Sequence, residues 1–178
     1  MTRSPEAKAA RIEAIAFDVD GVLTRGELVY GPEGELLKIF DARDGLGFTL
    51  ARDAGIRLAM ISGRTGPALR RRADDLKVDL LIEGALQKAD ALLEFCEKIG
   101  VEPDRVCYVG DDLIDLPAMR EAGLAVAVAD AAPEVRAEAD WVTERPGGAG
   151  AAREVIELIL KAKGMWDPIV QKLARGEE

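Results

Sequence analysis

Residues 12–24, I-E-A-I-A-F-D-V-D-G-V-L-T, constrain the fold more than any other stretch. The apolar run lacks the period-two alternation of a half-exposed strand, as a parallel strand covered on both faces does. It ends in Asp18 and Asp20, with Gly21 directly after. Two carboxylates therefore stand at the carboxyl end of a buried strand, where open α/β sheets bind their ligands. Crowded carboxylates that leave water repel each other, and a divalent cation between them resolves the repulsion.

The remaining sequence alternates strand and helix. Residues 56–61 read as a second core strand ending in Ser62-Gly63-Arg64, and residues 78–82 as a third, broken by Glu83-Gly84. Residues 105–109 form a fourth, ending in Gly110-Asp111-Asp112-Leu113-Ile114-Asp115, and shorter strands are expected at 124–128 and 141–142. Helices are expected at 44–54 with Asp44 as N-cap and Gly55 as stop, from Pro67 onward, and at 86–99 before Gly100. Others follow at 133–138, at 151–163 and, as a short element, after Pro168. This alternation predicts an α/β fold, a doubly wound parallel sheet, as one domain over residues 1–178.

Gly31-Pro32-Glu33-Gly34 separates two short runs, which predicts a β-hairpin at about residues 26–41, placed to act as a flap beside the Asp pair. With that hairpin and a helix between Thr24 and Ser62, no room remains for an inserted cap domain, and the stretch from Lys88 to Gly110 is also too short.

Composition narrows the chemistry. The 178 residues, 48% hydrophobic, suffice for one core, and a net charge of -9 weighs against a nucleic-acid partner. No apolar run reaches a membrane span and the first ten residues carry no apolar leader core, so a soluble cytoplasmic protein is expected. The absence of histidine excludes Ser-His-Asp and Cys-His catalysis and histidine-bearing zinc sites. Cys96 and Cys107 lack metal-ligand spacing and read as buried thiols of a reducing compartment.

Three smaller features bear on the site. Lys88 opens a helix, where a cation is mildly unfavourable; the placement makes sense if it meets an anion there, against the competing reading of a solvent-facing side chain. Arg70, Arg71 and Arg72 point in different directions on their helix and read as a solvated face. Gly147, Gly148 and Gly150 suggest a turn or an anion cradle.

D-V-D-G-V-L-T, then S-G-R, then a Lys opening a later helix, then G-D-D-L-I-D, in that order, resemble the haloacid dehalogenase superfamily of phosphotransferases over essentially the whole chain. Together with R-D-G at residues 43–45, V-A-V-A-D and G-G-A-G-A-A-R-E-V, they resemble the small cap-less branch of 3-deoxy-D-manno-octulosonate 8-phosphate phosphatases. The resemblance implies Asp18 as nucleophile, forming an aspartyl phosphate, and Asp20 as general acid and then base. It implies Mg²⁺ held by Asp18, the Asp20 backbone carbonyl and Asp111, with Asp115 acting directly or through water, and Ser62, Gly63 and Lys88 on the phosphate. Arg43 and Arg64 are the candidates for the sugar-acid carboxylate. A homotetramer whose flaps assemble and whose neighbours cover each pocket is implied as well. Arg25, Glu83 and Gln87 depart from the branch's usual residues and bear on substrate choice. The competing readings are a phosphatase for another sugar-acid phosphate, such as a nonulosonate 9-phosphate, or for a nucleotide. From another class comes a Mg²⁺-dependent phospho-aspartate switch, which lacks an acid two residues beyond the first Asp.

Overall fold

The computed structural model describes residues 4–176. A short helix, α1 (Pro5–Ala9), leads into the first strand, β1 (Ala14–Asp18), which is buried at every position, as its uninterrupted apolar run requires. A two-stranded antiparallel hairpin follows, β2 (Val29–Gly31) and β3 (Gly34–Leu37), then helix α2 (Ala42–Asp53). Strand β4 (Arg57–Ile61), helix α3 (Pro67–Leu76), strand β5 (Leu80–Ile82) and helix α4 (Lys88–Ile99) continue the alternation. The second half holds β6 (Val106–Gly110), α5 (Leu116–Glu121), β7 (Leu124–Ala127), α6 (Pro133–Glu138), β8 (Trp141–Val142), α7 (Ala151–Ala162) and α8 (Trp166–Ala174).

Six strands form one sheet in the order β5-β4-β1-β6-β7-β8, and every pairing is parallel. The chain steps outward from β1 to β4 and β5, then returns to the other side of β1 with β6. The order therefore reverses at β1, and the crevice beyond its carboxyl end is the ligand position of such sheets. Right-handed crossovers put the outward helices α2 and α3 and the returning helices α4 and α5 on opposite faces. Phe17 of β1 meets Phe48 of α2 with ring centroids 4.8 Å apart, joining strand and helix layers. Between Thr24 and Ser62 stand only the hairpin, α2 and β4, so the cap-less expectation is met.

Three local expectations are corrected. The N-cap of α2 is Asp41, whose Oδ1 accepts from the Arg43 amide at 2.7 Å, and not Asp44. Asp44 is buried in the first turn and accepts from the Arg153 amide at 2.8 Å, so it caps α7 from a neighbouring helix. That role falls to it because the residue at the N-cap of α7, Gly150, has no side chain to offer. Helix α8 starts at Trp166, with Pro168 inside its first turn, where a missing amide hydrogen leaves no bond unmade. Arg70 and Arg71 are exposed as expected, pairing with Glu83 and Asp75, but Arg72 leaves the solvated face: it lies over the Phe40 ring and donates to the Asp41 carbonyl. Helix α1, not expected from the pattern of residues, is capped by Ser4 and buries Ala9.

Candidate active site

The loop after β1 is built by its own hydrogen bonds. The amides of Leu23 and Thr24 donate to the Val19 carbonyl at 2.9 and 3.0 Å, and the Thr24 hydroxyl accepts from the Gly26 amide at 3.1 Å. Gly21 has φ +102, and a Cβ there would stand 2.0 Å from the Asp111 carboxylate, so a side chain at this position would displace the acid facing it. The glycines at 147 and 148 serve the same loop. A Cβ on Gly147 would meet the Gly21 carbonyl oxygen at 1.6 Å, and one on Gly148 the Thr24 carbonyl carbon at 2.4 Å. They permit close backbone packing against the Asp-bearing turn, which replaces the anion-cradle reading.

The four strand ends bring their predicted residues together. Asp18 is 4% exposed, and the Lys88 ammonium bonds to its Oδ1, to the Ile61 carbonyl at 2.8 Å and, at 3.8 Å, faces Asp115. The Lys88 side chain is wholly buried, which removes the solvent-facing reading; burial of an ammonium demands such partners. Asp115 does not share a helix face with Asp111. A 3₁₀ turn (Leu113–Asp115) folds its carboxylate back, so that Oδ2 accepts from the Asp111 and Asp112 amides at 3.0 and 3.2 Å. Its Oδ1 accepts from the Tyr108 hydroxyl at 2.7 Å, a support that lies hidden in the apolar run of β6.

Carboxylate oxygens of Asp18, Asp111 and Asp115 lie within 4.8 Å of one another. Burial first, then the Asp115 charge, pushes Asp18 up to about 7 against the opposing pull of Lys88. Burial, then Asp18 and Asp115, pushes Asp111 up to about 8. Ionised together, three carboxylates facing one ammonium leave two negative charges uncompensated, the charge a divalent cation carries. All-oxygen donors in this number fit a hard ion of the magnesium type. The Asp20 side chain is not in this cluster.

Asp20 turns the other way. Its Oδ2 lies 3.5 Å from the Ser62 hydroxyl, and its Oδ1 accepts from the ammonium of Lys38, a hairpin-side residue that sequence reasoning missed. Lys38 is also 2.9 Å from Glu35, and its side chain is only 2% exposed. Burial disfavours that ammonium, but the bonds to Asp20 and Glu35 outweigh it and raise Lys38 above its ordinary value. The one signal in sequence was the Glu35/Lys38 pair bracketing the apolar Leu36-Leu37 of the hairpin's second strand.

Ser62 is fully buried, and its hydroxyl accepts from the Arg64 amide at 3.0 Å. With Gly63 it forms the turn after β4, tied to the next strand end by the Ala85 amide on the Ser62 carbonyl at 2.9 Å. The Arg64 guanidinium reaches the hydroxyl of Tyr30 in the hairpin at 3.2 Å. Arg43 is exposed, paired with Asp41 and donating to the Ala149 carbonyl at 2.8 Å. Glu83, a departure from the branch's usual residue, accepts from the Gly66 amide at 2.9 Å and binds Arg70, anchoring the start of α3.

A family model described as haloacid dehalogenase-like hydrolase matches residues 78–154. The 3-deoxy-D-manno-octulosonate 8-phosphate phosphatase of Haemophilus influenzae is 43% identical over 159 residues, covering 89% of this chain and 88% of the relative. That of Escherichia coli K12 is 45% identical over 161 residues, covering 90% and 86%. The chain belongs to this phosphatase family of the haloacid dehalogenase superfamily. Among solved structures, the family's Moraxella catarrhalis phosphatase, in complex with a magnesium ion, a phosphate ion and a KDO molecule, superposes with a TM-score of 0.92 at 41% identity. The two chains cover 95% and 97% of each other's lengths. The cobalt-bound Haemophilus influenzae phosphatase superposes with a TM-score of 0.87 at 44% identity, covering 88% and 92%. Family membership thus agrees with the cap-less sheet and with the acidic rim described above.

Proposed function

We propose that this protein is a Mg²⁺-dependent phosphomonoesterase that hydrolyses 3-deoxy-D-manno-octulosonate 8-phosphate to the free sugar acid and phosphate. The observation that carries the reading is the buried constellation at the switch point, Asp18 bonded to Lys88 beside Asp111 and Asp115, in a member of this phosphatase family.

Asp18 attacks phosphorus in line and forms an aspartyl phosphate while the bond to the sugar oxygen breaks. Asp20 delivers a proton to the departing alkoxide, then takes one from the water that cleaves the acyl phosphate. Ser62 and the Gly63 turn receive the phosphoryl oxygens, and Lys88 offsets the charge that gathers there in the transition state. Arg64, reached by Tyr30 of the hairpin, and Arg43, beside the 147–150 loop, take the sugar-acid carboxylate. Asp18, Asp111, Asp115 and the Asp20 carbonyl would hold a Mg²⁺ ion, which would supply charge neutralisation to the phosphoryl group.

The assembly we propose is a homotetramer joined through the hairpins. Leu28, Val29, Tyr30, Leu36, Leu37 and Ile39 are all exposed there, an apolar concentration that a cap-less phosphatase would bury while closing its site. We place the protein in the cytoplasm; Cys96 and Cys107 are free and buried, and among the described residues no helix is long and apolar enough to cross a membrane.

The test is phosphate release from a panel of sugar-acid phosphates, nonulosonate 9-phosphate included, with Mg²⁺. Preferred turnover of the octulosonate ester, abolished by EDTA and absent in Asp18→Asn, is expected. Equal release by the mutant and the wild type would remove the proposed nucleophile, and preference for another ester would reassign the substrate.

A further inference from the structure

Of the two acids in the D-V-D-G turn, only Asp20 is gripped by a residue from the hairpin side. Lys38 follows β3 directly, and its ammonium sits on Asp20 Oδ1 with Glu35 at 2.9 Å as a second counter-charge. A lysine side chain 2% exposed is unusual for a surface hairpin whose apolar residues point to solvent. The inverted pattern, charge inward and apolar side chains outward, sets this segment apart from an ordinary edge hairpin.

Building on the phosphatase reading, we infer that Lys38 is a positioning residue for the general acid, carried to Asp20 by the flap. Held through Oδ1 by Lys38, the Asp20 carboxyl presents Oδ2 on the side of Ser62, where the phosphoryl group and its leaving oxygen are placed. As the P–O bond to the leaving group breaks, its electron pair stays on the leaving oxygen, which takes the proton from Asp20 Oδ2. The carboxylate left behind is met by the Lys38 ammonium already in place, so no reorganisation is needed at that moment. Proton delivery is thereby linked to the seating of the hairpin.

The consequence is a dependence on the leaving group. A poor leaving group needs the proton while the bond breaks, and a good one departs almost without it. The experiment compares kcat/KM for a series of aryl phosphates from p-nitrophenyl to phenyl phosphate in the wild type, Lys38→Met and Lys38→Arg. These esters lack the sugar acid, so sugar recognition drops out, and the ratio of two rates in one preparation is independent of the folded fraction. For Lys38→Met we expect a loss of about a hundredfold on phenyl phosphate and under about tenfold on p-nitrophenyl phosphate. The plot against leaving-group acidity steepens, and Lys38→Arg restores most of the wild-type slope. Parallel losses on all esters, or none, would overturn the role of Lys38 while leaving the phosphatase reading intact. A wild type that releases no phosphate from any ester would instead overturn that reading.

Discussion

The rim of the sheet and the hairpin beside it are built on opposite rules. At the rim, Asp18, Ser62, Lys88 and Asp115 are buried, each hydrogen-bonded to a fixed partner, and the backbone is held by glycines that admit no side chain. The hairpin has two short strands, exposes large apolar side chains and turns its lysine inward. The difference separates two tasks. Charges buried with fixed partners keep their geometry without reorganising as the reaction proceeds. An exposed apolar flap can be completed by another surface, which a chain without a cap domain needs in order to exclude water. Substitutions on either side of this division test it.

The largest effect is expected from Lys88→Met, which removes the ammonium that faces Asp18 and Asp115. With saturating Mg²⁺, kcat/KM for the sugar-acid phosphate should fall about a thousandfold, equivalent to about 4 kcal/mol of transition-state stabilisation. Thermal melting separates rate from fold. Without metal the variant should melt lower, because Asp18 and Asp115 lose their counter-ion, and Mg²⁺ should recover most of that loss. A variant that melts as the wild type does without metal would show that Lys88 is not needed to hold the rim together.

Next is Gly147→Ala. Its Cβ would stand 1.6 Å from the Gly21 carbonyl oxygen, so the Asp-bearing turn must move, at about 3 kcal/mol of stability. Gly164→Ala is the control: its φ of +69 carries strain, but no atom lies within 4 Å of the added Cβ, so a loss of about 1 kcal/mol is expected. Chemical denaturation measures both, and equal losses would show that backbone crowding under the turn is not what these glycines relieve.

The sequence revealed these two regions unequally, for physical reasons. Strand β1, the switch-point placement of Asp18 and the Asp111/Asp115 pair could be read because an apolar run that ends in carboxylates is hard to place anywhere but at the functional edge of a buried sheet. The hairpin was visible from its Gly/Pro turn, but not the inward turn of Lys38, since facing is decided by what packs on a strand and not by its own residues. Tyr108 supports Asp115 from within a strand that reads as core. The residues around Asp44 make a sound N-cap pattern for its own helix, and only the packing of α2 on α7 reassigns it to a helix more than a hundred residues away. Local chemistry predicts local bonds; it cannot foresee a cap supplied across an interface.

Asp44 gives the third effect. Burial pushes its carboxyl up to about 6, with Oδ2 lacking a hydrogen-bond partner. A carboxyl raised in the folded state contributes stability that is fully present below its unfolded value and is lost as pH rises through about 6. Asp44→Asn keeps an acceptor for the Arg153 amide but has no charge to gain. Relative to the wild type it should therefore gain on the order of 2 kcal/mol between about pH 4 and pH 7. Urea unfolding at the two ends of that window measures it. Parallel curves would mean that the charged form is accommodated by Arg153 and its neighbours, and α7 would then join the rim as a fully compensated element.

The smallest effect tests the hairpin alone. Leu36 and Ile39 are 65% and 66% exposed, so replacing both with Glu removes little packing within one chain, and the protomer's melting temperature should hardly change. If hairpins join four copies, buried carboxylates at the junction would separate them, and sedimentation should show a smaller species. The kinetic signature follows from the division of tasks. Binding of the sugar acid should weaken, raising KM about tenfold, while kcat changes little because the rim is untouched. A fall in kcat at constant KM would mean that flap assembly reaches the chemical step itself, through Lys38 and Asp20, and the two regions would then have to be treated as one machine.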